Sequence, residues 1–359
     1  MNNQTKSSAL RIIDAAQNRA AEGMRVVEDV ARMHREDACL AQAMKQLRHQ
    51  LTAALSTIDS SSLLQSRNPA TDVGTQISTE AEFQRANLTD LVRSNFGRVL
   101  QSLRTIEEYS KLLAESGDAS IPQQLEQLRY QTYTLEKAIV NSIEATRDLH
   151  GVQIYALVDS RGSLSEFEEL ARSLIQADVC LIQLRDKSLD DRTLIQYGKL
   201  LSELTRDVRT RWIMNDRADL ALICGADGVH VGQEDLSVHQ ARQIVGPGKL
   251  VGVSTHDIQQ ARAAELAGAN YIGVGPCFPS GTKSFDKFVP TDLLSSVSSE
   301  ILVPAFAIGG IDTGNVEQLS QLGIQRVAVS KMLIQSKSIL KDVEVLKLAL
   351  NAERMTSKA

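Results

Sequence analysis

Cysteine is scarce and scattered in this chain: Cys39, Cys180, Cys224 and Cys277 stand far apart, with no CxxC pair among them. That spacing indicates neither a zinc site nor a disulfide framework, and it fits a reducing cytoplasm. Long apolar runs are missing too, and the opening MNNQTKSSALRII lacks the basic-then-apolar order of a signal peptide. The expectation is a soluble, cytoplasmic protein with no membrane partner. Positive charge is not in excess, since 39 Lys and Arg against 44 Asp and Glu leave a net charge of −5. A general nucleic-acid binder would carry a basic face, so small-molecule chemistry is favoured. No Ser/His/Asp or Cys/His constellation stands out. What is present is 359 residues, 43% apolar and 23% charged, enough for two ordinary domains.

The chain changes character near residue 150. Before Leu149, long segments of 3.6-residue apolar period predict helices, with breaks at Ser60–Gly74 and Glu115–Pro122. After Gly151, short apolar or β-branched runs alternate with helical stretches, at 154–158, 179–184, 212–214, 228–231, 250–253, 271–274, 305–308 and 326–329. Eight such units in about 200 residues predict a (β/α)8 barrel at 149–359, preceded by an all-α bundle at 1–148. A doubly wound sheet is the competing architecture, but it usually needs fewer strands and offers one crevice instead of a ring of strand ends.

In a barrel the strand ends share one mouth, so groups spaced along the chain converge. Gln183, Arg185 and Lys187 alternate at the end of the second strand and point to one side of an extended segment. A guanidinium beside an ammonium suits a multiply charged phosphate. Asn215 and Asp216 end the third strand and Asp235 follows the fourth, and two carboxylates from neighbouring strands suit Mg2+. Either Asp is also a natural cap for the helix that follows. Ser254, ending the fifth strand, is a phosphate donor or another cap. The loop PCFPSGTK offers Ser280, Thr282 and Lys283 around a glycine that allows close backbone approach to an anion. Gly309 and Gly310, ahead of a helix expected near Thr313, and the pair Val329–Ser330 fall after strands seven and eight, where many barrels hold phosphate.

In combination QLRDK (183–187), MND (214–216), GADGVHVGQEDL, VGVSTHD, GVGPCFPSGTK and AIGGI (307–311) resemble thiamine phosphate synthase, over Val152 to about Leu350. The resemblance implies a transferase that joins 4-amino-5-hydroxymethyl-2-methylpyrimidine diphosphate to hydroxyethylthiazole phosphate, or its carboxylated form. It implies that Gln183, Arg185, Lys187, Asn215 and Lys283 hold the pyrimidine diphosphate with Ser254 assisting, Arg185, Lys187 and Lys283 being the catalytic charges. Asp216 and Asp235 would bind one Mg2+, and Ser280, Thr282, Gly309, Gly310, Val329 and Ser330 would line the thiazole phosphate site. The family loop usually reads TxTK; here SGTK keeps the hydroxyl and drops a methyl. A thiazole tautomerase-like isomerase and a non-catalytic thiazole phosphate binder are the alternatives, and intact Arg185, Lys187, Asp216, Asp235 and Lys283 favour the synthase.

The N-terminal half carries its own pattern. Asn18, Glu22, Arg25, Asp29 and Arg32 advance along one helix face, and Arg19, Arg25 and Glu28 recur 79 residues later as Arg98, Arg104 and Glu107. The repeat predicts a duplicated bundle whose charged faces either form a site or simply salt-bridge each helix. NRAAEGMRVVED, RNPATDVGT and RVLQSLRTIEEYSK resemble a helical domain found upstream of thiamine phosphate synthase in some bacteria, suggested to be an alternative hydroxymethylpyrimidine phosphate kinase. Asn18, Arg19, Glu22, Arg25, Arg67, Asp72 and Arg104 are its candidate site residues. No Walker-type glycine loop accompanies them, so a pyrimidine phosphate-binding or dimerisation module, and with it a homo-oligomer, stays open.

Overall fold

A computed structural model describes residues 3–68, 84–113, 119–279 and 288–356, which form two compact units, 1–140 and 141–359. The first contains α1 (Asn3–Asp29), a π-helical turn at Val30–His34, α2 (Ala38–Ala54), α3 (Ser60–Ser66), α4 (Leu88–Leu113) and most of α5 (Ser120–Asp148). The Asp37 carboxylate starts α2 by accepting Leu40 N–H at 2.8 Å. Where the sequence predicts a break, Asp59 accepts from Ser61 and Ser62 N–H and winds the serine-rich stretch into α3. Pro122 falls in the first turn of α5, where a missing N–H costs nothing. Helix α1 packs along α4, and each buries an apolar stripe, Ile13, Ala20, Met24 and Val27 on α1 and Phe96, Val99, Leu103 and Ile106 on α4.

The repeat is also legible in the ion pairs. Glu28, 3% exposed, accepts Arg25 Nη1 at 2.9 Å and Arg48 Nε from α2 at 3.0 Å. Glu107, 5% exposed, accepts Arg104 Nη1 at 2.5 Å and Arg129 Nε from α5 at 3.2 Å. The second arginine of each knot sits in QLRHQ (46–50) and QLRYQ (127–131), offset by 81 residues. These two arginines therefore fall outside the 79-residue register of α1 and α4.

The second unit alternates β1 (Ile154–Val158), α6 (Leu164–Gln176), β2 (Leu181–Leu184), α7 (Asp191–Thr205), β3 (Arg211–Asn215), α8 (Ala218–Cys224), β4 (Gly228–Val231) and α9 (Val238–Val245). It continues through β5 (Leu250–Thr255), α10 (Ile258–Leu266), β6 (Tyr271–Val274), α11 (Thr291–Glu300), β7 (Ala305–Ile308), α12 (Val316–Ser320), β8 (Val327–Val329), α13 (Lys331–Ile334) and α14 (Ile339–Thr356). The strands are parallel and close in sequence order, with β1 paired to β8. The predicted (β/α)8 barrel is therefore present. Strands covered on both faces read as continuous apolar runs, which is why their positions were legible. Tyr155, Leu181, Ile213, Leu250, Tyr271 and Phe306 fill the interior. Gly252 makes room for one of them, since a Cβ there would lie 2.0 Å from Tyr271 Cζ. The last turns of α5 belong to this unit, with Asn141 Nδ2 donating to Gly268 O at 3.2 Å and Thr146 Oγ1 to Leu302 O at 3.3 Å. Among the described residues no helix is long and apolar enough to cross a membrane.

Candidate active site

Arg185 N–H donates to Val158 O at 2.8 Å, extending the β1–β2 ladder one residue past β2 and fixing the half-buried arginine at the rim. Two residues on, Lys187 is exposed and its ammonium lies 2.9 Å from Asp216 Oδ2 at the end of β3. Between them Asp186 accepts Ser160 N–H at 3.1 Å and Ser188 N–H at 2.8 Å, tying the loop after β1 to the loop after β2. Burial works to raise the Asp186 pKa, but the hydrogen bonds from Ser188 and Ser160 outweigh it and hold the carboxyl at about 2.

Asp216 has φ 59°, the left-handed region that Asn and Asp tolerate better than other side-chain-bearing residues, and its N–H donates to His230 O at 2.7 Å. The capping alternatives fail at all three positions. Helix α8 is capped at Arg217, without a side-chain bond; α9 is capped by Ser237 in a capping box; α10 is capped by Asp257. Asp216, Asp235 and Ser254 are therefore not N-caps. Asp235 Oδ2 accepts Gly232 N–H at 2.8 Å, which folds the exposed GQED turn after β4 back on itself.

Below the rim lies a buried polar network that sequence reading missed in part. Gln183, 1% exposed, donates Nε2 to Tyr155 Oη at 2.5 Å. Tyr155 Oη bonds Tyr271 Oη at 2.8 Å, Tyr271 Oη lies 3.3 Å from His230 Nδ1, and His230 Nε2 is 2.9 Å from Ser254 Oγ. Five strands thus meet in one chain of hydrogen bonds. Burial, reinforced by the positive charge of Arg185 and opposed by Asp235, pushes His230 down to about 4. Burial also raises both tyrosines above their ordinary range, so the network is uncharged near neutral pH. GVHV and YIGV look like plain core strands; the signal was a polar residue on the inward side of an apolar run.

Across the mouth, Phe278 N–H donates to Gly309 O at 3.0 Å and Cys277 N–H to Ile308 O at 2.9 Å, binding the start of the β6 loop to the glycine turn after β7. Gly309 and Gly310 have φ of 101° and 63°, and a Cβ on Gly310 would meet Pro279 O at 2.4 Å. No other residue fits that turn. Val329 ends β8 beside it, and the half-buried Ser330 follows. Ser280, Thr282 and Lys283 lie outside the described residues. Burial pushes the nearby Cys277 thiol up to about 12, which makes it no nucleophile.

Asp216, Arg217, Asp219, Glu234 and Asp235 border a cleft of ≈ 530 Å³ at the β3 and β4 ends. Arg217 pairs with Asp219 and Asp191. Among the described residues no three His, Cys, Asp or Glu side chains gather as a self-sufficient metal site. Two carboxylates fit a hard cation that fills its remaining positions with phosphate and water oxygens.

In the helical unit, Arg25 and Arg104 are spent on the glutamate knots, and Arg67 makes a two-point contact with Asp14, Nε to Oδ2 at 2.7 Å and Nη2 to Oδ1 at 2.8 Å. Asn18, Arg19 and Glu22 are exposed on α1. Asp72 lies outside the described residues.

The thiamine monophosphate synthase family matches residues 154–333, and the ThiD2 family matches residues 11–138. A thiamine-phosphate synthase of Rhodopirellula baltica is 42% identical over 93% of this chain and 90% of its own. One of Thermosynechococcus vestitus is 38% identical over 90% of each chain. Among solved structures, the thiamine phosphate pyrophosphorylase of Pyrococcus furiosus superposes with a TM-score of 0.51 at 29% identity, covering 56% of this chain and 96% of its own. With its closed barrel, the charged mouth at its strand ends and relatives matched along nearly their whole length, this chain belongs to the thiamine-phosphate synthase family.

Proposed function

We propose that the barrel condenses 4-amino-5-hydroxymethyl-2-methylpyrimidine diphosphate with 4-methyl-5-(2-hydroxyethyl)thiazole phosphate, giving thiamine phosphate and pyrophosphate. The reaction follows from the family. The observation that carries its location is the meeting of opposite charges from adjacent strands, Lys187 on Asp216, at the cleft that Asp235 also borders.

The bond between the pyrimidine methylene and the diphosphate oxygen breaks, its electron pair leaving with pyrophosphate, and the thiazole nitrogen lone pair forms the new C–N bond. No protein nucleophile is required. Arg185 and Lys187, joined by Lys283, hold the diphosphate and stabilise charge as it departs, an electrostatic effect worth several kcal/mol in a dry site. Gln183, Asn215 and Ser254 contact the same substrate. Asp216 and Asp235 hold one Mg2+, which when bound supplies further positive charge to the leaving group. Gly309, Gly310, Val329 and Ser330, with Ser280 and Thr282, hold the thiazole phosphate, so that capture becomes effectively intramolecular.

Residues 149–359, with the last turns of α5, form the synthase domain, and the helices before them form a helical domain that binds the pyrimidine monophosphate, both working in the cytoplasm on small molecules. The ThiD2 match and the resemblance of NRAAEGMRVVED support the second assignment. A pyrophosphate-release assay with both barrel substrates and Mg2+ tests the first; no thiamine phosphate under those conditions overturns it. Titration of the helical unit with pyrimidine monophosphate and ATP, with a product assay for the diphosphate, tests the second. Diphosphate formation makes the unit a kinase, and binding of neither ligand overturns the assignment.

A further inference from the structure

Lys187 is 62% exposed along its side chain, yet its ammonium rests 2.9 Å from Asp216 Oδ2. The Asp216 backbone is left-handed and its N–H donates to His230 O, which fixes the base of the carboxylate at the rim. The neighbouring carboxylates have different company: Asp219 pairs with Arg217, and Asp235 Oδ2 takes Gly232 N–H. Among the described residues proposed to handle the diphosphate and its metal, Lys187 and Asp216 are the two that form an ion pair with each other.

We infer that Lys187 is an internal counter-ion, released from Asp216 when diphosphate and metal arrive together. The inference rests on the proposed metal role of Asp216. A divalent ion arriving alone competes with an ammonium tethered beside the carboxylate, at high effective concentration. Metal and diphosphate arriving together give both side chains a better partner, since Lys187 turns to phosphate as Asp216 turns to metal. One lysine therefore weakens binding of the bare ion and strengthens binding of the pair, which keeps the mouth from filling with metal before substrate.

The test is calorimetric titration of Mn2+ into the full-length protein without diphosphate, in wild type, Lys187→Met and Arg185→Met. Lys187→Met should bind Mn2+ about five-fold more tightly, because an ion pair this exposed is worth up to about 1 kcal/mol. Arg185→Met removes the same charge from the same strand end but not the partner of Asp216, and should change the affinity by less than about two-fold in physiological salt. With inorganic pyrophosphate present the order reverses, and Lys187→Met should bind the metal–pyrophosphate pair more weakly than wild type. Equal shifts in the two variants, or no tightening in Lys187→Met, overturn the exchange. Failure of the metal assignment itself has a different signature, wild-type Mn2+ affinity in Asp216→Asn.

Discussion

Single residues at the mouth carry separable consequences. His230 is held at about 4 in the folded barrel, against 6.5 for a free imidazole, so below pH 6.5 the unfolded chain takes up a proton that the folded chain refuses. Stability is therefore lost as pH falls from 6.5 to 4, by about 2 kcal/mol between pH 7 and pH 5. Trp212, the single tryptophan and fully buried on β3, gives the readout: its urea midpoint should drop over that interval, and His230→Gln should flatten the dependence. Asp216 calls for Asn in place of Ala, because Asn accepts a positive φ and isolates the charge. Asp216→Asn and Asp235→Ala should each lower Mg2+-dependent turnover at least about a hundred-fold while the thermal midpoint moves by no more than a few degrees. The positions of Arg185, Lys187, Asp216 and Asp235 just past the strand ends were legible in the sequence because short apolar runs followed by polar residues mark where strands stop. Tyr155, His230 and Tyr271 were not, because which face of a strand points inward is settled only when the barrel closes.

Elements show where the sequence rules were incomplete. The change in character near residue 150 marks the end of α5, but the bonds of Asn141 to Gly268 and Thr146 to Leu302 assign the last turns of that helix to the barrel. A chain starting at residue 141 should accordingly melt a few degrees above one starting at 149, since two hydrogen bonds contribute roughly 1–3 kcal/mol together; equal midpoints by scanning calorimetry would show those turns to be dispensable. Helix α3 escaped notice because a serine-rich stretch has no apolar period, and the cap at Asp59 alone does not declare a helix. In the bundle, Glu28→Ala and Glu107→Ala should each cost about 2 kcal/mol, less than a fully buried pair because both knots draw on partly exposed arginines. The measurement is helical circular dichroism against urea.

At the scale of the whole molecule, two compact units should unfold as two events, because each has its own apolar core. Scanning calorimetry should resolve two transitions, and acidification toward pH 5 should lower the one reported by Trp212. A single transition insensitive to pH would contradict both statements. The eight-strand order was readable from sequence because parallel strands demand a crossover after each apolar run. The depth of the duplication was less readable, since its second helix is displaced by two residues relative to the first. That duplication has a consequence for heredity. In a true homodimer one codon change alters both halves of a symmetric surface at once, whereas here Arg25 and Arg104, or Arg48 and Arg129, are separate codons. One copy can keep the knot that holds the helices while the other drifts toward a new contact, so among descendants of this sequence the two halves are expected to accept changes at unequal rates.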